Sequence, residues 1–191
     1  MVELTYQMAL STLQTAGLLV GIIYYITTMR NNQRTQQLQL ETRRTQMFMQ
    51  LHQSKYDQKG LESIFMLMNL EWDDFEDYMQ KYGGITGHLE IAAAQASWFD
   101  YYDGLGLLVK DDKVDLDMVY SIAYSRILFV WFKFETVLKE LRKPPWGMPD
   151  YEENFEYLAN EMIKIRKQRG LPIPYTIYIH PTSELYKEYN P

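Results

Sequence analysis

The acidic residues around Trp72 form the densest group of side chains that could carry chemistry. Five carboxylates occur within seven positions, at Glu71, Asp73, Asp74, Glu76 and Asp77. A divalent cation needs several oxygen ligands that converge on one point. Neighbouring helix positions point about 100° apart, so this spacing scatters the carboxylates. The pattern favours a solvated acidic helix start, and we expect no metal ligands here.

Histidines, serines and cysteines give no stronger indication of catalysis. The histidines fall in three different predicted elements, without an H-E-x-x-H pair: His52, His88 and His180. The following serines lack a G-x-S-x-G context: Ser97, Ser121 and Ser125. The chain has no cysteine, which excludes disulfides, thiolate catalysis and Cys-type metal sites. We therefore expect no catalytic residue and no cofactor.

Length and charge limit the class of protein further. The chain has 191 residues, and 47% of them are apolar, enough for one core with appendages. It carries 19 basic and 25 acidic side chains, a net charge of −6. Nucleic-acid binding relies on clustered Lys and Arg that neutralise phosphates. The charge therefore argues against a nucleic-acid partner.

The N-terminal segment has the length and composition of a membrane span. Residues 4–28 contain no charged side chain, and Tyr6, Tyr24 and Tyr25 lie near its two ends. A helix of that length crosses the ~30 Å hydrocarbon core, and aromatic side chains favour its interfaces. We predict a transmembrane anchor over residues 1–29. A secretory signal peptide would need a basic region before the apolar run, and the only early charge is Glu3. A buried core helix does not explain so long an uncharged run.

The flanking charges predict the orientation of the anchor. Residues 29–60 carry two acids, Glu41 and Asp57, and more basic side chains. The basic residues are Arg30, Arg34, Arg43, Arg44, Lys55 and Lys59. Because positive flanks stay in the cytoplasm, we expect the N-terminus outside and the rest of the chain inside.

Two features of the anchor bear on association in the bilayer. Gly17 and Gly21 form a small-xxx-small pair, which permits close helix contact. Gln7, Ser11 and Gln14 share one helix face through their spacing of 4 and 3. The first feature fits self-association or a protein partner, and the second leaves open a homo-oligomeric channel.

The remaining chain reads as all-α with an extended end. We predict a helical stalk over 30–59, a helical cytoplasmic domain over 60–170 and an extended tail over 171–191. The apolar stretch "ILFVWF" (127–132) predicts that the helix over 116–142 lies centrally. Asp115 and Asp150 are expected to cap the last two long helices, and Gly104 with Gly106 to end the helix before them. The glycine-rich residues 83–88 predict a loop.

Two groups of residues are candidates for structural or partner contacts. Asp103 and Arg126 lie among apolar and aromatic neighbours, and we expect a polar pair that is structural. The tail alternates polar and apolar side chains, which indicates a short strand over 175–179. Its candidate docking residues are Tyr175, Ile177, Tyr178 and Ile179. The tail either wraps on its own domain or docks a partner.

In this order, the segments resemble a known family. The matching stretches are "LETRRTQMFMQL" (40–51), "EWDDFEDYMQKYG" (71–83), "WFDYYDGLGLLVKDDKVDLDMV" (98–119), Trp131 and "NFEYLANEM" (154–162). They resemble the membrane-anchored proteins of the domain of unknown function 4760, archaeal examples among them, over about residues 17–169. The resemblance implies an N-terminal anchor and a helical cytoplasmic domain. It implies no activity and no catalytic residues.

These observations predict a single-pass membrane protein with a helical interaction domain. It would act as an accessory or scaffold subunit of a membrane complex or oligomer, with the bilayer and other protein chains as partners. The alternatives are a membrane-tethered enzyme that uses the acidic residues with a metal, and a channel-like homo-oligomer.

Overall fold

The protein is all-α. The computed structural model describes residues 2–83 and 88–189, and within these ranges it contains no strand. The helices are α1 (Val2–Lys55), α2 (Gln58–Met68), α3 (Phe75–Tyr82), α4 (Leu89–Lys110), α5 (Leu116–Leu141), α6 (Glu153–Gln168) and α7 (Glu184–Tyr189). A single 3₁₀ turn, Thr176–Tyr178, lies between α6 and α7. The chain divides into two compact units, Met1–Met49 and Gln50–Pro191.

The first unit consists of α1 alone. No proline lies within α1, and residues 22–59 also lack glycine, so no helix breaker separates its apolar part from the stalk. The predicted continuation of the N-terminal helix into a helical stalk is confirmed by the bounds of α1. Hydroxyls in its apolar part bond to carbonyls of their own helix, for example Thr12 Oγ1 to the Met8 carbonyl at 2.8 Å. These hydroxyls are therefore satisfied without a partner chain.

In the second unit, α5 is the central helix. It packs against α6, α3 and the 3₁₀ turn, while α4 packs against α6 and α2. Ile127, Leu128 and Trp131 are almost completely buried, which confirms the predicted central position. Asp115 caps α5 as expected, because its carboxylate accepts the Met118 N–H at 2.7 Å. The apolar stretch thus builds the core that positions every other element.

The expected helix end at Gly104 and Gly106 is wrong, because α4 continues to Lys110. At Gly106 a Cβ atom would lie 2.0 Å from the Asn154 carbonyl oxygen. This glycine therefore lets α4 and the start of α6 approach each other. At Gly104 no such neighbour lies within 4 Å.

The expected cap at Asp150 is also wrong. Helix α6 begins at Glu153, after Glu152 in the left-handed conformation with φ 55°, and Glu152 makes no side-chain cap. Asp103 of α4 takes that role, because its Oδ1 accepts the backbone N–H groups of Asn154 and Phe155 at 2.8 and 3.1 Å. The first turn of α6 is thus capped from another helix, which no local pattern reveals.

The predicted strand over 175–179 and the extended tail are corrected by the structure. Residues 176–178 form the 3₁₀ turn, and residues 184–189 form α7. The rings of Tyr175 and Tyr178 both pack on Phe129, with centroids 5.0 and 4.7 Å away. A strand would place residues three apart on opposite faces, so this shared contact requires a turn.

Part of the predicted glycine-rich loop, residues 84–87, lies outside the described residues. Gly60 falls in the first turn of α2, where a Cβ atom would lie 1.8 Å from the Lys55 carbonyl oxygen. The close return of the chain after Lys55 therefore requires glycine at this position.

Candidate functional site

The predicted anchor residues are exposed along α1. The most apolar window of this helix contains no buried residue. Among the described helices, α1 is the one that is long and apolar enough to cross a bilayer. The side chains of Tyr6, Tyr24 and Tyr25 are each exposed by more than half. Arg30 and Arg34 follow on the same helix, one turn apart, and are exposed. Length and composition fit a membrane span or an N-terminal signal sequence.

A shallow groove runs along one face of α1. Its lining residues are Gln14, Gly17, Leu18, Gly21, Ile22 and Tyr25. A Cβ atom at either glycine would meet nothing within 4 Å, so this face is open to a neighbouring helix. Within the described residues, the Gln14 amide has no hydrogen-bond partner. The groove therefore combines close approach with a polar group of unused hydrogen-bonding capacity.

The acidic residues around Trp72 serve the start of α3. Asp74 caps the helix by accepting the Asp77 N–H at 2.8 Å. Asp77 accepts from the Asp73 N–H at 3.0 Å and from Lys81 Nζ at 2.6 Å, and this lysine lowers the pKa of Asp77. No three His, Asp or Glu side chains in the described ranges are arranged to hold a metal ion. The geometry is that of a capped helix start.

The histidines have separate roles. His52 Nδ1 lies 3.3 Å from the Tyr101 hydroxyl, and burial together with the nearby Arg126 lowers the pKa of His52. His88 precedes α4 without forming a side-chain cap. His180 is in the tail, where its ring lies parallel to that of Trp72 at 6.2 Å. Each ring is thus part of a different packing contact.

Asp103 and Arg126, predicted as a polar pair, have different partners. Asp103 holds the start of α6, including the Asn154 amide at 3.2 Å. The Arg126 guanidinium lies over the Tyr56 ring, 4.4 Å from its centroid. Asp103 is half-buried and Arg126 is exposed, so they do not form the expected buried pair. Neither partner can be read from neighbours in sequence, because both partners come from distant elements.

A hydrogen-bonded tyrosine cluster joins the start of the second unit to α4. The hydroxyls of Tyr56 and Tyr102 lie 3.0 Å apart, and burial raises the pKa of both. Tyr102 is fully buried, and its ring stacks on Phe155 at 5.0 Å. Sequence reasoning missed the pairing of these two hydroxyls, because Tyr56 and Tyr102 lie 46 residues apart in the chain. Neutral phenols are the stable form here, which indicates a packing role.

Sequence reasoning also missed Glu152. This residue is buried, its Oε2 has no hydrogen-bond partner, and its backbone is left-handed. Burial and the nearby Asp103 and Asp100 raise the pKa of Glu152 to about 8, against the opposing effect of Arg142. The residue precedes a helix in the sequence like any surface acid, so no local signal marks it.

The tail residues predicted to dock a partner pack largely on their own domain. Ile179 is buried, and Tyr175 and Tyr178 contact Phe129. The buried Ser183 hydroxyl donates to the Glu135 carboxylate. Ile177 is the exception, with 80% of its surface exposed. The tail is therefore a strap over α5 that leaves one apolar side chain outward.

The same segment forms one wall of a cavity of about 400 Å³. Residues 71–73 form another wall, and Lys81 and Lys133 complete the lining of the cavity. The Lys133 ammonium lies over the Trp72 ring, 4.7 Å from its centroid, and burial lowers the pKa of Lys133. No pattern in the sequence joins these positions, because the tail and α3 are about 100 residues apart.

Comparison with known protein families gives one match, over residues 11–162, to a domain of unknown function (DUF4760). The chain belongs to the DUF4760 family. The match confirms the resemblance drawn from the sequence, and it ends within α6, so the DUF4760 region stops short of the tail. No curated protein and no solved structure matches this DUF4760 chain.

Proposed function

We propose that this DUF4760 protein is a single-pass membrane protein whose helical domain acts as an accessory or scaffold subunit. The observation that carries the proposal is the exposed, uncharged surface of α1 over residues 5–27. Leaving so much apolar surface in water is unfavourable, at about 25 cal/mol per Å². A bilayer removes this cost and satisfies the length of the helix.

The orientation follows from charge. Four arginines lie between residues 30 and 44, and the N-terminal side offers no basic side chain before them. The second unit then lies in the cytoplasm, with the N-terminus outside. Tethering to the bilayer concentrates the domain near other membrane proteins, which suits a subunit that acts by contact.

Self-association is part of this proposal. Copies with the same orientation place Gln14 at the same depth in the bilayer. An amide is both donor and acceptor, so two copies of Gln14 can pair with each other, and hydrogen bonds of this kind stabilise helix contacts in lipid. Gly17 and Gly21 line the same groove and permit the close approach that such a pair needs.

A channel-like oligomer is the second candidate function. Gln7, Ser11 and Gln14 share a face of α1, and a ring of copies would direct that face towards a pore. The Ser11 hydroxyl already bonds to the Met8 carbonyl at 2.9 Å, which leaves the glutamine amides as the polar lining. Conductance across planar bilayers separates the channel from a scaffold.

Membrane insertion is tested with extraction and labelling. The anchor keeps the protein in the membrane pellet after alkaline carbonate treatment. Because the chain has no cysteine, single cysteines report topology cleanly. An impermeant maleimide should label Val2→Cys in intact cells and Lys187→Cys only after permeabilisation. Release by carbonate, or the opposite labelling, contradicts the proposal.

The subunit role needs a separate test. Purification in mild detergent from native membranes, followed by mass spectrometry, should recover a stable complex or a homo-oligomer. Gln14→Leu should weaken a homo-oligomer, whereas Thr12→Leu on the opposite face should not. A monodisperse monomer without partners contradicts the scaffold proposal.

A further inference from the structure

The cavity between α3, α5 and the tail has the size of a small-molecule site. Its volume is about 400 Å³, within the range of known ligand pockets. Four of its ten lining residues are charged, and they are Glu71, Asp73, Lys81 and Lys133. Ile177 and Trp72 contribute apolar surface. The charges at its wall therefore define which ligands it accepts.

Lys133 is the cationic group of the cavity that can form an ion pair with a ligand. It lies on the central helix α5, half-buried, with Nζ over the Trp72 ring. No described carboxylate lies within 4.0 Å of it. Burial lowers the pKa of Lys133, and Glu71 opposes this effect from a longer distance. A carboxylate that entered the cavity would supply the ion pair that this ammonium lacks.

Lys81 differs, because Asp77 already binds it. The two groups form an ion pair at 2.6 Å, and Lys81 also donates to the Glu71 carbonyl at 3.4 Å. The exposed carboxylates of Glu71 and Asp73 accept no hydrogen bond from a described residue. The cavity thus offers one available positive group and two available negative groups.

The tail wall is held in place by His180. Its Nδ1 accepts the Thr182 N–H at 3.3 Å, which places the ring proton on Nε2. That N–H donates to the Trp72 carbonyl at 3.3 Å. The wall and Trp72 are therefore fixed to each other, and a ligand meets a formed site rather than a loose tail.

From this charge arrangement we propose that the cavity binds a small zwitterion of the free amino-acid class. Its carboxylate pairs with Lys133, its ammonium pairs with Glu71 or Asp73, and an apolar side chain contacts Ile177. A multiply charged anion such as a nucleotide meets the two carboxylates and is repelled. An amine without a carboxylate leaves Lys133 without a partner.

The test is calorimetric titration of the full chain in detergent with L-leucine and two analogues. 4-Methylpentanoate keeps the carboxylate without the ammonium, and 3-methylbutylamine keeps the ammonium without the carboxylate. We expect saturable binding of L-leucine and at least about tenfold weaker binding of each analogue, the loss expected for one ion pair of about 1.4 kcal/mol. Equal binding of either analogue, or no heat with L-leucine at millimolar concentration, overturns the proposal.

Variants locate the site. Lys133→Met should weaken L-leucine binding about tenfold or more, and Lys133→Arg should retain part of it. Lys59→Met, at an exposed lysine of α2, is the matched control and should leave binding unchanged. The exposed pair Glu71→Gln and Asp73→Asn should also weaken binding, and it serves if Lys133→Met lowers the folding yield. Binding that survives both changes places the ligand elsewhere and overturns the proposal.

Discussion

Asp103 is a polar residue in an apolar helix, and it stabilises a different helix from the one that contains it. Its Oδ1 accepts two N–H groups at the start of α6. The sequence marked Asp103 as unusual because of its aromatic neighbours, but it pointed to Arg126 as the partner. The true partner depends on where α4 crosses α6, and that crossing is a tertiary feature which one sequence does not contain.

The cap predicts the effect of removing it. Asp103→Ala leaves the first N–H groups of α6 without acceptors, so we expect a loss of about 1–2 kcal/mol in the free energy of unfolding. Asp100→Ala, at an exposed aspartate one turn earlier on α4, is the control and should cost less than about 0.5 kcal/mol. Urea unfolding of the full chain in detergent, followed by tryptophan fluorescence, measures both. Equal losses would argue against the cap.

Glu152 predicts a pH dependence of stability. Its pKa is about 8 in the folded chain, above the ordinary 4.5. A carboxyl group with a raised pKa stabilises the fold fully below its unfolded pKa, and this contribution is lost as the pH rises through 8. We therefore expect stability to fall between about pH 4.5 and about pH 8.

Glu152→Gln isolates that contribution. The amide keeps the shape of the side chain without titrating, so at pH 8 the variant should be more stable, on the order of 1 kcal/mol after solvent screening. Glu153→Gln, at the exposed neighbour, should keep the wild-type profile. Unfolding midpoints measured across this pH range test the prediction. If the midpoint of Glu152→Gln changes with pH as steeply as that of the wild type, the buried carboxyl is not the source of the pH dependence.

At the scale of elements, hydrophobic pattern predicted the helices well. The bounds of α1 and α5 and the cap at Asp115 all follow from local composition and spacing. The failures share one physical cause. Gly106 and the tail resemble a helix end and a strand locally, but packing against α6 and Phe129 determines their conformation.

The two glycines of α4 give a matched pair for testing this explanation. In Gly106→Ala the new methyl group meets the Asn154 backbone, so we expect destabilisation of about 1–3 kcal/mol. Gly104→Ala meets nothing within 4 Å and should be neutral or stabilising by up to about 1 kcal/mol. Thermal unfolding monitored by circular dichroism compares them. A similar melting temperature for both variants would show that α4 and α6 are not in close backbone contact at Gly106.

At the scale of the whole molecule, the charge of the chain is unevenly distributed. The net charge is −6, yet the segment after the apolar stretch is rich in arginine. The all-α class and the family could be read from the sequence. The cavity beside Trp72 could not, because it joins residues 71–73 to residues 177–181 and exists only after folding.

The arginines near the apolar stretch predict a change in topology. Replacing Arg30, Arg34, Arg43 and Arg44 with glutamine removes the positive flank, so the orientation should become mixed. Maleimide labelling of Lys187→Cys in intact cells should then rise from near zero. As a control, glutamine at Lys110, Lys113, Lys143 and Lys164 in the same Lys187→Cys background should leave labelling near zero. A uniform orientation in the arginine variant would mean that another signal directs insertion.

The strap over α5 bears on how such proteins are produced in the laboratory. A fragment cut at residue 162, where the family match ends, would lose Ser183, the hydroxyl donor to the buried Glu135. It would also uncover the Phe129 ring that Tyr175 and Tyr178 shield. Boundaries drawn by homology would in this case cut through a folding unit, and expression trials should retain every residue to the C-terminus.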